Sequence, residues 1–205
     1  MRRFFLCMVI SIFTTGTASA AATEGDPSLF AAIRQGDVKL LKEHLDQPSL
    51  EARDRRGATL LMHAAAFGNL ETLRLLLDAG ADLNVRNHFD ATALLWGARD
   101  LEKARLLIER GADVNARSKQ GRTPLMLACL RPGGSETVAL LLAKGADVNV
   151  QDGRGDTALG LAASIGEVES MRLLLGKGAD AATVNKKGER PIILATKSMR
   201  AEAVS

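Results

Sequence analysis

The residues that could support catalysis or hold a metal ion are few in this 205-residue chain and lie far apart in sequence. Its three histidines, His44, His63 and His88, have no cysteine or carboxylate around them at the spacing of metal ligands. His63 follows a methionine within an apolar stretch, which favours a packing role over ligation. The sequence therefore predicts no metal site.

A glycine-rich stretch, residues 153–158, matches the letters of a dinucleotide-binding fingerprint, G-x-G-x-x-A. Such a fingerprint needs a preceding buried strand and a strand–helix–strand context, which this stretch lacks. It also contains Arg154-Gly155-Asp156, a tripeptide that some adhesion proteins use, and we interpret both matches as chance within a tight loop. The chain has no G-x-S-x-G motif and no recognisable set of nucleophile, base and orienting residue. We predict a non-catalytic protein without a cofactor.

The sequence contains an internal repeat, and this repeat sets the order of the secondary-structure elements that would position any functional residue. The phrase G-A-D-L-N begins at Gly80, G-A-D-V-N begins at Gly111 and at Gly145, and G-A-D-A-A begins at Gly178. These glycines are 31, 34 and 33 residues apart. Self-similarity at such a period predicts stacked supersecondary units rather than a single globular core, and such stacks mostly bind other molecules.

Each unit has the sequence features of two helices joined by a turn. A threonine precedes the first apolar stretch, where its hydroxyl can accept from the free backbone N–H groups of a starting helix. In the second stretch, Leu70, Leu73 and Leu76 recur with helical spacing and charged residues lie between them. The glycine of the repeated phrase then ends this helix, because glycine readily adopts a left-handed conformation. The predicted capping threonines are Thr59, Thr92, Thr123 and Thr157.

These units resemble the ankyrin repeat family. The family's phrase G-x-T-P-L-H-x-A-A is matched best by residues 121–129, and its G-A-D-V-N is matched outright in two units. The resemblance covers nearly all of residues 26–198. It implies an all-α, ankyrin-type solenoid of helical hairpins with short β-hairpin-like return loops, and a role in binding protein partners.

The units depart from the family's pattern at two positions. Asp90 stands where the other units have glycine, and aspartate adopts a left-handed turn less readily, so this turn is expected to be either strained or reshaped. The histidine of the family's phrase is also absent from every full unit, and apolar packing is expected to replace its hydrogen bond. The residues at that position are Met62, Leu95, Met126 and Gly160.

The repeat spacing divides the chain into segments. We predict a signal peptide over residues 1–20, a linker and capping helical pair over 21–53, four ankyrin repeats over 54–184, and a partial capping repeat over 185–205. Units at the two ends of a stack differ from internal ones because one side of each faces water. The four repeats are predicted at residues 54–86, 87–117, 118–151 and 152–184.

The first twenty residues have the pattern of an export signal. Arg2 and Arg3 precede an apolar run over residues 4–13, and residues 18–20 are the small residues of a cleavage site. The run is too short to span a bilayer, so we expect cleavage near Ala20 and no membrane anchor afterwards. We predict that the protein is located in the periplasm or is secreted.

The residues that indicate a binding function lie in the return loops between units. Twenty loop positions hold ten Lys or Arg and two acidic residues, although removal of the signal lowers the net charge of the chain from +3 to +1. Arg and aromatic side chains contribute strongly at protein interfaces. We therefore predict a protein partner with an acidic surface. The predicted partner-binding residues, called the basic ridge below, are Arg55, Arg56, Arg86, Phe89, Arg117, Lys119, Arg122 and Arg154.

Other interpretations of the loop charges remain open. They could serve solubility alone, since exposed loops are commonly charged. Binding of nucleic acid is disfavoured by export and by the lack of stacking aromatic residues. Secretion as an effector that captures a host protein would use the same surface. We predict a monomer that binds no small-molecule substrate.

Trp96 and Cys129 are single residues of their type once the signal peptide is removed. Trp96 occupies the position of His63, Leu127 and Leu161 in the other units, and we predict that it packs between units. Cys129 occupies a position that is alanine in the other units, which predicts a small buried residue. One cysteine cannot form an internal disulfide, so stability must come from packing.

Overall fold

The computed structural model describes residues 26–202, so the predicted signal peptide and residues 21–25 and 203–205 lie outside the described part of the chain. Residues 26–202 form helices and no strands, with one isolated antiparallel bridge between Arg53 and Thr59. The all-α prediction is confirmed. No helix within these residues combines the length and the apolar character needed to cross a bilayer.

The helices alternate between an inner row, made of α1, α4, α6, α8, α10 and α12, and an outer row, made of α2, α5, α7, α9 and α11. The single turn α3 precedes the first return loop. In chain order the helices are α1 (Pro27–Gln35), α2 (Val38–His44), α3 (Gln47–Leu50), α4 (Leu60–Phe67), α5 (Leu70–Asp78), α6 (Ala93–Gly97), α7 (Leu101–Glu109), α8 (Pro124–Cys129), α9 (Ser135–Ala143), α10 (Ala158–Ser164), α11 (Val168–Gly176) and α12 (Pro191–Glu202).

The predicted threonine caps are present at four inner helices. Each hydroxyl oxygen accepts a hydrogen bond from the backbone N–H three residues later, at 3.2–3.4 Å. Asp26 takes this place at α1 and accepts from the Ser28 N–H at 2.8 Å. Each threonine cap contributes about 1 kcal/mol relative to alanine. The inner helices therefore start at defined positions although they are short. The four capping residues are Thr59, Thr92, Thr123 and Thr157.

A continuous apolar core runs along the stack. Inner helices contact the inner helices of neighbouring units, and outer helices contact neighbouring outer helices. Leu76, Leu107, Leu141 and Leu174 recur at one position of successive outer helices and are fully buried. Burying one such side chain contributes roughly 2 kcal/mol. Each unit is therefore stabilised by its neighbours, as expected for a repeat protein.

Left-handed residues end the outer helices and turn the return loops. Gly111, which follows α7, has a φ of 96°. Asp90 has a φ of 55°, at the loop position where Gly57, Gly121 and Gly155 have φ values of 72°, 75° and 77°. Of the two expected outcomes, the turn at Asp90 keeps the left-handed conformation of the other loops and is not reshaped. The second repeat therefore carries a strained residue at a place where its neighbours have none.

Asp90→Gly should raise the free energy of unfolding by about 0.5 kcal/mol. The gain comes from removing the left-handed strain of a side chain, reduced by the greater freedom of glycine in the unfolded chain. Gly121→Ala, at the same position of the next loop, should lower it by about 1 kcal/mol. Urea unfolding followed by circular dichroism measures both changes, and a loss of stability in Asp90→Gly would contradict the strain.

Candidate functional site

Each return loop begins with a residue whose side chain closes the turn. Asp54 Oδ1 accepts hydrogen bonds from the backbone N–H groups of Arg56, at 2.8 Å, and Ala58, at 2.9 Å. These bonds give the tips of the loops a defined shape without a regular strand. The sequence analysis did not identify this role. The same two bonds are accepted by Asn87, Asp152 and Asn185, and the second of them by Ser118.

Backbone hydrogen bonds join neighbouring loop tips. The His88 N–H donates to the carbonyl oxygen of Arg56 at 3.0 Å. Equivalent bonds of 2.7–2.9 Å connect each later pair of tips, so the tips form one continuous row along the stack. The later bonds run from Lys119 to Phe89, from Gly153 to Gln120 and from Lys186 to Arg154.

The arginines that recur at the last position of a unit also connect the loops. The guanidinium of Arg53 donates to the Arg86 carbonyl at 3.2 Å, that of Arg86 to the Arg117 carbonyl at 3.0 Å, and that of Arg117 to the Gln151 carbonyl at 2.9 Å. The Gln151 amide continues the series to the Val184 carbonyl at 3.2 Å. The recurrence of these residues therefore has a structural cause that requires no partner.

The asparagine of the repeated phrase forms a second series of bridges between units. Asn115 Oδ1 accepts from the Asp147 N–H at 2.9 Å, and its Nδ2 donates to the Gly145 carbonyl at 3.2 Å. Each such residue thus satisfies backbone groups at the end of the next outer helix, which would otherwise depend on water. Asn149 makes both bonds and Asn84 makes the first.

Two clefts lie between the loop tips and the inner helices, one near each end of the stack. We call the line of inner-helix residues that runs from one cleft to the other the groove, and its floor is defined by the residue four positions after the one that precedes each inner helix. The floor is aromatic over the first three units and aliphatic over the last three. In chain order the floor residues are Phe30, His63, Trp96, Leu127, Leu161 and Leu194.

The first cleft has a volume of about 480 Å³ and an aromatic wall. The rings of Phe30 and His63 meet edge to face with centroids 4.7 Å apart, and the Trp96 ring lies 5.6 Å from His63. Phe67 lies 6.2 Å from Trp96 and is 59% exposed. Apolar rings therefore lie beside cationic side chains. The cleft is lined by Asp26, Pro27, Phe30, Arg34, Arg53, Asp54, Arg55 and His63.

A hydrogen bond to Asp54 holds the histidine of this cleft in place. His63 Nε2 lies 2.9 Å from Asp54 Oδ2, and His63 Nδ1 has no hydrogen-bond partner within residues 26–202. Burial raises the pKa of Asp54, but hydrogen bonds from His63 and from the backbone of Ala58 and Arg56 outweigh it, so this pKa lies below the ordinary value of 3.8. The predicted packing role of His63 is confirmed.

Acid should weaken the first return loop through Asp54. Because its pKa is lower in the folded than in the unfolded chain, the carboxylate contributes stability above about pH 4, and this contribution is lost as the pH falls through the folded value. Asp54→Asn keeps an oxygen that can close the turn but cannot titrate. We expect the difference in unfolding free energy between wild type and Asp54→Asn to shrink below pH 4. Urea unfolding at a series of pH values tests this, and a constant difference would count against it.

The second cleft, of about 620 Å³, lies at the last units of the stack. Arg122 is partly buried there and its Nε lies 3.6 Å from Oδ2 of the buried Asp152. Gly160 also lines this cleft, and an added Cβ there would be in ordinary van der Waals contact with Leu194, at 3.5 Å. The cleft combines basic tips with an aliphatic floor. Its basic residues are Arg122, Arg154, Lys186 and Lys187, and its leucines are Leu130, Leu161 and Leu194.

The residues of the basic ridge lie in different environments. Arg55 lines the first cleft, and Arg122 and Arg154 line the second. Arg86 and Arg117 are exposed but donate to carbonyl groups of the next loop. The ridge residues therefore contribute to two separate clefts and to the connections between loops. The remaining members, Arg56, Phe89 and Lys119, are exposed on the loop tips.

Sequence reasoning missed Phe30 and Arg34 as groove residues because it treated residues 21–53 only as a cap. A signal for Phe30 was present, since it follows Asp26 by four residues as Trp96 follows Thr92. Extending the repeat alignment to α1 would have placed Phe30 in the floor of the groove.

Cys129 and Trp96 have the packing roles predicted for them. Cys129 is fully buried, and this burial together with the charge of Glu167 raises the pKa of its thiol to about 12. The thiol therefore stays protonated near neutral pH. Trp96 packs between units against His63 and Phe67. Within residues 26–202, no group of three or more His, Cys, Asp or Glu residues is placed to hold a metal ion.

The stacked helical pairs and the connected return loops define a helical-hairpin repeat protein. A family model described as ankyrin repeats (3 copies) matches residues 8–87, 86–152 and 125–205. The chain belongs to the ankyrin repeat family. Ankyrin repeats are protein–protein interaction modules, and the family is typically non-catalytic.

Several relatives are similar to part of the chain. An ankyrin repeat-containing protein of Treponema pallidum (strain Nichols) is 36% identical over 91 residues, which are 42% of this chain and 30% of the relative. M-phase phosphoprotein 8 of Homo sapiens is 40% identical over 83 residues, 38% of this chain and 10% of the relative. The DNA-binding protein RFXANK of Homo sapiens is 41% identical over 66 residues, 31% of this chain and 25% of the relative. The chain thus spans less than a third of each of these relatives.

Proposed function

We propose that this chain is an exported, non-catalytic ankyrin repeat module that binds a protein partner along the groove. The observation that carries the proposal is the lining of the first cleft, where Phe30 and His63 lie beside Arg34, Arg53 and Arg55. Phe67, which is 59% exposed, adjoins this lining, because its ring lies 5.9 Å from that of His63. Exposed apolar side chains beside arginines are typical of protein interfaces.

The chemistry of the groove indicates the kind of partner. Its floor suits apolar or aromatic side chains, and the cationic loop tips suit carboxylates. Arg55 at the first cleft and Arg154 at the second lie on opposite ends of the groove. A partner with an acidic surface that also presents apolar side chains would meet both features. Arginine on such a rim favours specificity and rapid association more than affinity.

The experiment that tests this function compares two charge reversals of equal size. Arg55→Glu with Arg56→Glu reverses the first loop tip, and Lys39→Glu with Arg74→Glu reverses two exposed residues of outer helices. Affinity capture from the native compartment, read by mass spectrometry, should lose its partner with the first pair, by roughly tenfold or more, and keep it with the second.

Phe67→Ala tests the aromatic part of the same surface. This side chain is mostly exposed, so its removal should leave the thermal unfolding almost unchanged while weakening capture of the same partner. Equal recovery with wild type, Phe67→Ala and the loop reversal would reject the groove as the binding site. Loss of capture in the Lys39 and Arg74 variant as well would indicate a non-specific charge effect.

Export is the second part of the proposal and rests on residues 1–20. Amino-terminal sequencing of the protein from its native cell should find a start close to Ala21, whereas an intact Met1 would reject the signal. Fractionation then separates the two destinations, because accumulation in the medium favours an effector that binds a host protein. A gel-shift assay with DNA would show a steep dependence on salt if nucleic acid were the ligand instead.

A further inference from the structure

The outer row of helices contains an apolar slot between α9 and α11. Its volume is about 340 Å³, which lies within the range of roughly 300–1,000 Å³ that small-molecule sites occupy. Each wall of the slot is a described helix, so the slot is not part of either end of the stack. Its lining consists of Ala139, Leu142 and Ala143 from α9, and of Arg172, Leu173, Gly176 and Lys177 from α11 and the residue after it.

The slot is open because its walls carry small residues where other outer helices carry long ones. Two residues before the glycine that follows each of these helices, α5 and α7 have Asp78 and Glu109. At the same position α9 and α11 have Ala143 and Gly176, and a Cβ added to Gly176 would meet no atom within 4 Å. One turn earlier, α9 has Ala139, where α5, α7 and α11 have arginine. The leucines that line the slot therefore lack the cover of charged side chains from α9.

A cation at the edge of the slot lacks the carboxylate that its counterpart has in an earlier unit. Arg110 precedes the glycine after α7, and its guanidinium lies 2.8 Å from Oδ1 of Asp78 on α5. Lys177 has the position of Arg110 after α11, but Ala143 has the position of Asp78 on α9. Lys177 is exposed and makes no ion pair within residues 26–202. The slot thus combines apolar walls with a positive charge that no carboxylate of the neighbouring helix balances.

Arg172, the other cation of the lining, is already paired. Its Nε lies 3.7 Å from Oε2 of Glu169, and Arg105 and Glu102 form the same pair on α7 at 3.8 Å. Because this pair recurs on another outer helix, it is not specific to the slot. Arg172 contributes its aliphatic stem to the wall. Lys177 is therefore the residue whose charge selects the ligand.

We propose that the slot binds a free small amphiphile, an apolar chain of several carbons that ends in a carboxylate. The chain lies against the leucines and alanines between α9 and α11, which removes apolar surface from water on both sides. The carboxylate pairs with Lys177 and takes the place that the Asp78 side chain has beside Arg110. The missing acidic residue and the uncovered apolar wall are thus replaced by one molecule.

The size and lining of the slot favour a small molecule over a protein partner. A protein interface needs a surface of roughly 1,000 Å² or more and is commonly anchored by aromatic side chains, but the residues that line the slot include no aromatic one. The slot shares no residue with the two clefts, so the proposal does not rest on the proposed function. It departs from the sequence-based expectation that the protein binds no small-molecule substrate.

The first test is a titration of the protein, as its producing cell processes it, with octanoate. Backbone amide signals in NMR spectra should shift in a saturable way at Ala143 and Gly176, with a Kd below about 1 mM. Octanol has the same chain length without the charge and should bind at least several-fold more weakly. Shifts that do not saturate or that lie elsewhere, or equal binding of octanol, would overturn the proposal.

A pair of substitutions tests the slot itself. Ala139→Arg with Ala143→Asp gives α9 the two residue types that α5 has at these positions and leaves the net charge unchanged. The circular dichroism spectrum should stay the same, while octanoate binding should fall by roughly tenfold or more, because the slot is filled and Lys177 gains a carboxylate. Lys39→Ala with Glu43→Ala removes an exposed charge pair from α2 and should bind octanoate as wild type does. Binding that survives the α9 substitutions would contradict the proposed site.

Two further measurements test the charge and the source of the ligand. Lys177→Gln should weaken octanoate binding several-fold and leave octanol binding unchanged, a difference that a purely structural effect would not produce; equal losses for both ligands would refute the ion pair. Vesicles of phosphatidylcholine with oleate present a carboxylate and acyl chains within a bilayer, and they should not sediment the protein. Sedimentation of wild type, but not of the α9 variant, would assign the slot to a membrane surface and overturn the free ligand.

Discussion

Replacing Leu94 with alanine is expected to lower the free energy of unfolding by about 3 kcal/mol. Leu94 is fully buried in α6, which packs against α4 on one side and α8 on the other. Helices on both sides limit how far the structure can collapse into the cavity, so the loss exceeds the transfer free energy of the missing atoms. Urea unfolding followed by circular dichroism measures the change.

Phe89→Ala is the control for this prediction. It removes a larger side chain than leucine, but one that is 56% exposed on a loop tip. The expected loss is below about 0.5 kcal/mol, because surface substitutions away from packed or bonded features have small effects. If the two variants lost equal stability, the continuous core could not be the main source of stability of this stack.

Gly134→Ala is expected to lower the free energy of unfolding by about 2 kcal/mol, within the range for overpacking. Gly134 has a φ of −81°, which alanine adopts without strain, so the loss must come from contact alone. An added Cβ would overlap the carbonyl oxygen of Ala128 and lie 2.9 Å from that of Arg131. Both are backbone atoms in the tight turn before α9, so the turn would have to open.

Gly176→Ala is expected to have the opposite effect and to raise the free energy of unfolding. Gly176 lies in the last turn of α11, and no atom lies within 4 Å of an added Cβ. Alanine should therefore stabilise the helix by about 0.5 kcal/mol through its higher helix propensity. Urea unfolding of both variants separates the two cases. A similar loss in both would show that glycine at these positions matters for a reason other than space.

The arginines of the basic loops have two different roles: some bond to the neighbouring loop, and others line a cleft. Arg86 and Arg117 contribute hydrogen bonds between loops, so a charge reversal at either residue would disturb the stack as well as any interface. Arg55 has no place in that series and lines the first cleft. Substitution of Arg55 together with Arg56 therefore tests binding at this cleft without removing a guanidinium from the series of bonds between loops.

The groove offers different chemistry to a partner at its two ends. The aromatic rings of Phe30 and Trp96 belong to the first units, and the leucines Leu161 and Leu194 belong to the last. An aromatic partner side chain would gain edge-to-face contacts at the first end, and an aliphatic one would fit the second. We expect a bound partner to run along the groove in one direction for this reason.

Local features of the chain were predictable from the sequence alone. The capping threonine Thr123 and the left-handed Gly111 depend on residues within one turn of the chain, and the structure confirms both. The period of the repeated phrase predicted the helical pairs, because a hydrophobic face repeated at this spacing can be buried only by a neighbouring copy. The family, the all-α class and the packing of Trp96 followed from the same pattern.

Tertiary structure decided which residues meet across units. The hydrogen bond from Arg86 to the Arg117 carbonyl and the contact of His63 with Phe30 join residues more than thirty positions apart. The sequence shows that residues 86 and 117 are arginines. It does not distinguish an arginine whose guanidinium donates to a backbone carbonyl of the same chain from one whose guanidinium binds a partner protein. Likewise, Leu175 and Leu142 have the same place in the repeat, and only the presence or absence of a covering helix makes one exposed and the other buried.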